Sequence, residues 1–113
     1  MRPDDRIRLQ HMLDAAREAM SFAAGRTRAD LDVDRQFALA LVKEIEIIGE
    51  AAFQMTGDSR AKITSVHWPS VINMRHRLVH AYFDLNLDIL WDTVTDNLPP
   101  LITAIEEILA TRD

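Results

Sequence analysis

In the second half of the chain, three residues have the types and the spacing that suit acid–base chemistry on a phosphate group. Arg75 is followed by His80 after four intervening residues, and Tyr82 comes two residues later. A guanidinium is permanently charged and can bind two phosphate oxygens at once, whereas an imidazole titrates near neutrality and can both take and give a proton. An arginine and a histidine that meet over one phosphate would therefore suit cleavage of a phosphodiester.

The spacing of Arg75 and His80 sets a geometric condition on that chemistry. On a regular helix, at about 100° per residue, the two side chains point about 140° apart, so one rigid helix does not aim both at one atom. The helix could end near His80, which frees the imidazole to turn. Alternatively, a second copy of the chain could supply the missing partner across a two-fold axis. The sequence leaves both arrangements open.

The charge pattern around these residues differs from that of the rest of the chain. The 113 residues include 13 Lys and Arg against 18 Asp and Glu, a net charge of -5. The segment 59–83 holds no carboxylate and three of the four histidines. Its cations are Arg60, Lys62, Arg75 and Arg77. An acidic protein does not coat nucleic acid by bulk attraction, but this local positive segment can hold a phosphate. Chance clustering in a short chain is the alternative explanation.

The elements that must position these residues are helices, because apolar residues recur at helical spacing along most of the chain. The first helix is predicted from about Pro3 to about Ala24, with Gly25 ending it. Asp30, Asp32 and Asp34 can each cap the start of a second helix, whose apolar stripe runs from Phe37 to Met55 and stops at Gly57. Residues 57–67 are predicted to be a loop that can include one helical turn.

A third helix is predicted to begin at Pro69, because proline suits the first helical turn, and to carry Arg75. The pattern breaks at residues 82–86, where Asp84 or Asn86 can cap a fourth helix. The Pro99–Pro100 pair forces that helix to kink or restart, since proline lacks a donor and crowds the preceding turn. No stretch alternates long enough to predict a strand. The sequence therefore predicts a single all-α domain, residues 1–113, with four to five helices in an up-and-down bundle.

Composition excludes several classes of protein. With no cysteine, disulfides, thiolate zinc sites and cysteine nucleophiles are ruled out. No run approaches the roughly 18 apolar residues that a membrane span needs, and residues 1–6 are too charged to open a signal peptide. We therefore expect a cytoplasmic protein that makes no membrane contact.

The motif Arg75–x4–His80–x–Tyr82 resembles the Arg-x4-His-x-Tyr motif of the HepT-like toxins, which belong to the HEPN superfamily of helical ribonucleases. Other segments resemble the same family in the same order and at similar spacing: Ile-Ile-Gly-Glu-Ala at 47–51, Trp-Pro at 68–69, Tyr-Phe-Asp at 82–84 and Leu-Asp-Ile-Leu-Trp at 87–91. The resemblance is specific over about residues 45–95. His76, where the family more often has Asn, and Ala81, where it more often has Gly, depart from the pattern.

The resemblance implies an HEPN-type homodimer that acts as a metal-independent endoribonuclease toxin on RNA and needs no cofactor. It also implies a partner, a minimal nucleotidyltransferase antitoxin of the MntA type, which neutralises the toxin by transferring AMP to the motif tyrosine. Carried over residue by residue, His80 is the acid–base group, Arg75 clamps the phosphate and Tyr82 is the hydroxyl that is modified. We expect further substrate contacts from three neighbours, Asn73, His76 and Arg77.

Each motif residue also has a purely structural explanation. His80 could be a half-buried histidine interacting with a helix end, Arg75 could bridge to a surface carboxylate, and Tyr82 could be a core aromatic with its hydroxyl at the rim. His76 and His80 stand four residues apart and could share a metal ion. Because two ligands without a nearby third make a poor site, we expect no metal there.

Two further pairs, and the function as a whole, have alternatives as well. Glu46 and Glu50 share a helix face, and a solvated stripe is favoured over a role beside the active cleft. Trp68 and Trp91 are expected to anchor the core rather than to stack on bases. At the level of function, the alternatives are a catalytically silent helical dimer that serves as binding partner of a nucleotidyltransferase, and a purely structural dimeric bundle.

Overall fold

Two long antiparallel helices, α1 (Pro3–Ala23) and α3 (Arg35–Gln54), form the centre of the fold. The computed structural model describes residues 1–81 and 84–111, except for the side chains of residues 80 and 81. The turn after α1 uses Gly25, whose φ of 73° lies in the left-handed region that glycine adopts freely. A short helix, α2 (Asp30–Val33), follows, and Asp34 caps α3 by accepting a hydrogen bond from the backbone N–H of Phe37 at 3.1 Å. The first two predicted helices are confirmed.

The start of α1 is tied to a short helix, α4 (Gly57–Lys62), through one buried carboxylate. Asp5 accepts hydrogen bonds from the backbone N–H and the hydroxyl of Thr56, at 3.0 and 2.7 Å, and from the hydroxyl of Ser59 at 2.5 Å. Burial alone would raise the pKa of Asp5, but these hydrogen bonds outweigh it and hold the pKa below its usual value. Gly57 begins α4 instead of ending α3, which stops at Gln54, so the predicted stop was three residues late.

The predicted third helix is two helices, α5 (Trp68–Ile72) and α6 (Met74–Leu78), separated at Asn73. Pro69 lies in the first turn of α5, as predicted. The indole N–H of Trp68 donates to the carbonyl of Ile63 at 3.0 Å, and the side chain is buried. Trp68 is therefore a core anchor, as expected.

A pair of short antiparallel strands follows α6, namely β1 (Val79–Ala81) and β2 (Asp84–Leu85), with Val79 opposite Leu85. The prediction that the chain holds no strand was wrong here. Strands of three and two residues are too short to show an alternating pattern, so the sequence signal on which that prediction relied does not exist at this length.

The carboxyl-terminal part of the chain forms α7 (Leu87–Asp92), a π-helical turn (Thr93–Asn97) and α8 (Leu98–Ala110). Asn86 caps α7 by accepting a hydrogen bond from the backbone N–H of Ile89 at 3.0 Å, so the predicted cap is confirmed. Pro99 and Pro100 lie in the first turn of α8, where their missing N–H groups cost least. The helix was predicted to kink or restart at these prolines, and the structure has the wider π turn directly before α8.

The core lies between α1 and α3, with α8 packed against α1 and with α5 and α6 packed against α3. Its largest fully buried apolar side chains include Leu9, Met12, Leu41, Ile45, Ile48, Leu90, Leu98 and Ile105. Apart from the strand pair, the described regular elements are helices, which confirms an all-α fold. No helix in the described ranges has the length and apolar character that crossing a membrane requires.

One acidic side chain lies within this core. Glu44 on α3 is only 4% exposed, and its Oε2 atom has no hydrogen-bond partner in the described part of the chain. Burial, followed by hydrogen bonding to Glu18 on α1 and the negative charge of that carboxylate, raises the pKa of Glu44 to about 7. The folded protein therefore binds a proton here more tightly than an unfolded chain, in which the pKa is near 4.5.

We expect Glu44→Gln to stabilise the protein selectively at high pH. A group whose folded pKa is raised contributes its full stability below the unfolded pKa and loses it as the pH rises through the folded pKa. Between pH 5 and pH 9 the free energy of unfolding of the variant, relative to the unmodified protein, should rise by about 2 to 3 kcal/mol. Urea denaturation at the two pH values measures this difference. The control is Glu50→Gln, which changes an exposed glutamate on the same helix. If the change in unfolding free energy depended as little on pH for Glu44→Gln as for Glu50→Gln, the raised pKa of Glu44 would be contradicted.

Candidate active site

Arg75 lies in α6 at the rim of a cavity of about 290 Å³ between this helix and α3. The polar side chains that line the cavity are Glu46, Glu50, Asn73, Arg75 and His76. Asn73 and His76 were both predicted to contact substrate, and the fold brings them together with Arg75. Because Asn73 separates α5 from α6, the break in the predicted third helix lies at the cavity itself.

The close approach of α5 to α3 depends on Gly49. A Cβ atom built at Gly49 would lie 3.1 Å from the carbonyl oxygen of Ile72 and 3.4 Å from that of Val71. Only a glycine lets the α5 backbone pack this tightly against α3 without a shift. The glycine thereby sets the distance between the carboxylates of α3 and the side chains that follow Asn73.

Arg75 makes one ion pair within the described part of the chain. Its Nε atom lies 3.4 Å from Oε2 of Glu46, and both side chains are about half exposed. The alternative that Arg75 bridges to a surface carboxylate is therefore realised, but exposed pairs of this kind typically contribute at most about 1 kcal/mol. A phosphate that offers two oxygens to the guanidinium can compete with such a contact. The ion pair does not prevent Arg75 from binding an anion.

His80 lies in β1, two residues after the end of α6 at Leu78. The backbone has left the helix by Val79, whose φ and ψ are -107° and 111°. Of the two arrangements open to the sequence, a helix that ends before His80 is confirmed, while a contribution from a second copy stays a prediction. The imidazole of His80 and the whole of Tyr82 lie outside the described residues.

Arg77 does not line the same cavity as Arg75. It lines a different cavity, of about 280 Å³, together with His67 and Ser70 on the side of α6 that faces α8. The imidazole Nδ1 of His67 lies 2.6 Å from the hydroxyl oxygen of Ser70. The positive segment 59–83 is therefore not one patch, because its cations point to separate sides of the molecule.

Sequence reasoning missed the place of Glu46 and Glu50 beside Arg75. Both are exposed, as the favoured solvated stripe predicted, and both also line the Arg75 cavity, which that interpretation did not include. The available signal was Gly49, since an isolated glycine in a helix marks a position where another backbone can come close. Among the described residues, no group of three or more metal-ligating side chains lies close enough together to hold a metal ion.

In this all-α fold, His80 follows two residues after the end of α6, the helix that carries Arg75. The profile described as ribonuclease HepT-like matches residues 12–108. The chain therefore belongs to the HepT-like ribonuclease family.

Relatives of similar length support this membership. A candidate RNase of Caldanaerobacter subterraneus subsp. tengcongensis is 33% identical over 101 residues, covering 89% of this chain and 90% of its own. A candidate RNase of Methanocaldococcus jannaschii is 31% identical over 106 residues, covering 94% and 88%. A relative from Thermococcus cleftensis named as a probable ribonuclease HepT is 32% identical over 79 residues, covering 70% and 72%. No solved structure gives a significant match to the chain.

Proposed function

We propose that the protein is a metal-independent endoribonuclease, the toxin of a toxin–antitoxin pair. Membership of the HepT-like ribonuclease family supports an RNA-cleaving activity. The observation that carries the proposal is the Arg75 cavity, which is lined by a half-exposed guanidinium on α6, the short helix whose end at Leu78 is followed two residues later by His80.

The chemistry needs little beyond one imidazole and one guanidinium, because RNA contains its own nucleophile. The 2′-oxygen bonds to phosphorus as its proton leaves to a base, the bond to the 5′-oxygen breaks, and a proton is delivered to that oxygen. His80 is the group that moves protons in this scheme, and Arg75 stabilises the negative charge that develops on the phosphoryl oxygens. No step requires a metal ion.

The carboxylate of Glu46 partly neutralises the charge of Arg75 in the free protein, and a bound substrate phosphate would replace that contact. In the free protein, Oε2 of Glu46 lies 3.4 Å from Nε of Arg75. When a phosphate binds, the guanidinium gains a bidentate anionic partner and the carboxylate is left to solvent. The exposed contact thus orients Arg75 toward the cavity at small energetic cost.

Regulation is proposed to act on Tyr82 through a partner nucleotidyltransferase of the MntA type. In this transfer the tyrosine oxygen would bond to the α-phosphorus of ATP, the hydroxyl proton and pyrophosphate would leave, and a phosphodiester would form two residues from His80. Its negative charge and bulk would occupy the space that a substrate phosphate needs. The cleaving form is proposed to be a homodimer, in which a second copy completes the pocket.

The protein purified alone is expected to cut single-stranded RNA in the presence of EDTA. After co-expression with the proposed partner transferase, the chain should gain the mass of AMP on Tyr82 and lose most of its cleavage activity. Intact mass spectrometry and a gel assay on the same two samples measure both changes, with Tyr82→Phe as the matched control that should neither gain mass nor lose activity on co-expression.

The two readouts separate the parts of the proposal. No cleavage of any RNA by the unmodified protein would contradict the ribonuclease and favour a silent dimer that only binds the transferase. Cleavage that EDTA abolishes would contradict metal independence. An unchanged mass after co-expression would count against regulation at Tyr82 while leaving the ribonuclease in place.

A further inference from the structure

A trough runs along α8, on the other side of α6 from the Arg75 cavity. It consists of two adjoining cavities, one of about 750 Å³ and one of about 280 Å³, and Ser65 lines both. The floor of the trough is lined by residues between Asn97 and Thr111, which lie on α8 or directly beside its two ends. At about 1.5 Å per residue, this stretch spans roughly 20 Å, which is long enough for an extended polymer rather than a small molecule.

The trough holds cations that make no ion pairs with the described residues. Arg2 and Lys62 line its larger cavity, and Arg77 lines the smaller one with the imidazole of His67. Four other arginines, Arg17, Arg26, Arg28 and Arg75, pair with carboxylates, but none of the three trough cations has a carboxylate within ion-pair distance in the described ranges. Arg2 interacts with the charge of the buried Asp5 without forming an ion pair. Among the described lining residues of both cavities, the one carboxylate is Asp58. In a chain of net charge -5, this is a surface that attracts an anion.

The remaining lining groups suit phosphates and riboses more than bases. Hydroxyl groups of Thr64, Ser65 and Ser70 lie along the trough and can donate to phosphate oxygens. The 2.6 Å contact between Ser70 and Nδ1 of His67 fixes the imidazole at the trough wall. No Phe, Tyr or Trp lines either cavity within the described part of the chain, so no base-stacking platform is present there.

The trough is close to the proposed active site. Arg75 and Arg77 are two residues apart on α6 and line opposite sides of it, Arg75 toward α3 and Arg77 toward α8. A helix with its side chains is only about 10 Å across. One extended strand can therefore reach from the Arg75 cavity across α6 into the trough.

We infer that the trough binds the phosphate backbone of single-stranded RNA away from the cut bond, without reading its bases. This inference rests on the proposed ribonuclease function and adds a second binding region to it. Binding through phosphates makes affinity depend on salt. Removing one phosphate-binding cation lowers the slope of log affinity against log salt by about 0.7 for a single strand.

The test uses the double variant Lys62→Ala/Arg77→Ala and a labelled 20-nucleotide strand of 2′-O-methyl RNA, which binds but lacks the nucleophile. Fluorescence anisotropy should show a salt slope smaller by about 1.4 and an affinity lower by roughly 10- to 100-fold at 50 mM salt. Arg35→Ala, an exposed arginine at the start of α3, is the matched control and should lower neither value. For cleavage, the KM of an unmodified 20-nucleotide RNA should rise at least 10-fold more than that of a dinucleotide.

The outcomes distinguish the trough from the ribonuclease itself. If the unmodified protein cleaves RNA while the double variant binds with the affinity and salt slope of Arg35→Ala, the trough is not an RNA site and the ribonuclease stands. Equal losses on the dinucleotide and on the 20-nucleotide strand would place both cations at the reacting phosphate and overturn a separate binding region. If the unmodified protein neither binds nor cleaves any RNA, the proposed function fails, and this inference fails with it.

Discussion

Arg75→Ala is expected to lower kcat/KM for RNA cleavage by about 10²- to 10³-fold, because a preorganised cationic donor at a developing oxyanion is typically worth that much. The loss should appear mainly in kcat, since the negative charge on the phosphoryl oxygens increases between the bound substrate and the transition state. Steady-state cleavage of a fluorogenic RNA measures both constants. Thermal unfolding should barely change, because the variant removes only an exposed ion pair to Glu46.

Two variants separate the charge of Arg75 from its ion pair. Glu46→Gln removes the same ion pair but keeps the guanidinium, so it should not show the hundredfold loss. Arg75→Lys keeps the charge without the forked donor and should recover only part of the activity. If Glu46→Gln lost as much activity as Arg75→Ala, the ion pair itself would be the important feature, and Arg75 would not be the phosphate clamp.

The long helices could be predicted because their signals are local and repeated. The apolar stripes of α1 and α3 extend over several turns. Gly25 ends the first helix because it adopts a positive φ, and Asp34 begins the second because its side chain caps the helix. The same is true of Pro69 and Asn86 at helix starts. Each of these signals depends on residues within a few positions of one another.

The features that escaped prediction depend on contacts between residues far apart in the chain. Nothing near Asp5 indicates that its carboxylate is buried against Ser59, 54 residues later. Glu44 is buried because α1 covers it, although its residue type is typical of a surface. The break at Asn73 has no glycine or proline to mark it, so the predicted single helix was reasonable and wrong.

The sequence predicted several residues of the candidate site but not which residues of other helices line the cavity beside them. Arg75, His76 and Asn73 were identified from the sequence, and the fold places them on one cavity. Arg77 was grouped with them because it is near in sequence, yet two residues on a helix point to nearly opposite sides. Glu46 and Glu50 come from another helix, and only the packing at Gly49 brings them to Arg75.

His80→Ala is expected to lower kcat for RNA cleavage by about 10²- to 10⁴-fold, the range that positioned acid–base catalysis contributes. Because an imidazole changes protonation near neutrality, kcat/KM of the unmodified protein should vary between pH 5 and 8, and this variation should disappear in His80→Ala. Cleavage rates across that pH range measure the effect. His11→Ala, an exposed histidine on α1, is the control and should keep both the rate and the pH dependence.

The double variant Arg75→Ala/His80→Ala tests whether the two groups act on one phosphate. Groups that act as a unit on one phosphate have non-additive effects, so the double variant should lose little more than the more damaging single variant. Losses that multiplied fully would mean that the two groups contribute independently of each other and would count against their acting as a unit on one phosphate. A His80→Ala protein that kept both its rate and its pH profile would remove the imidazole from the mechanism, and Arg75 would then remain as an anion-binding residue on a helical protein whose proton transfers occur elsewhere.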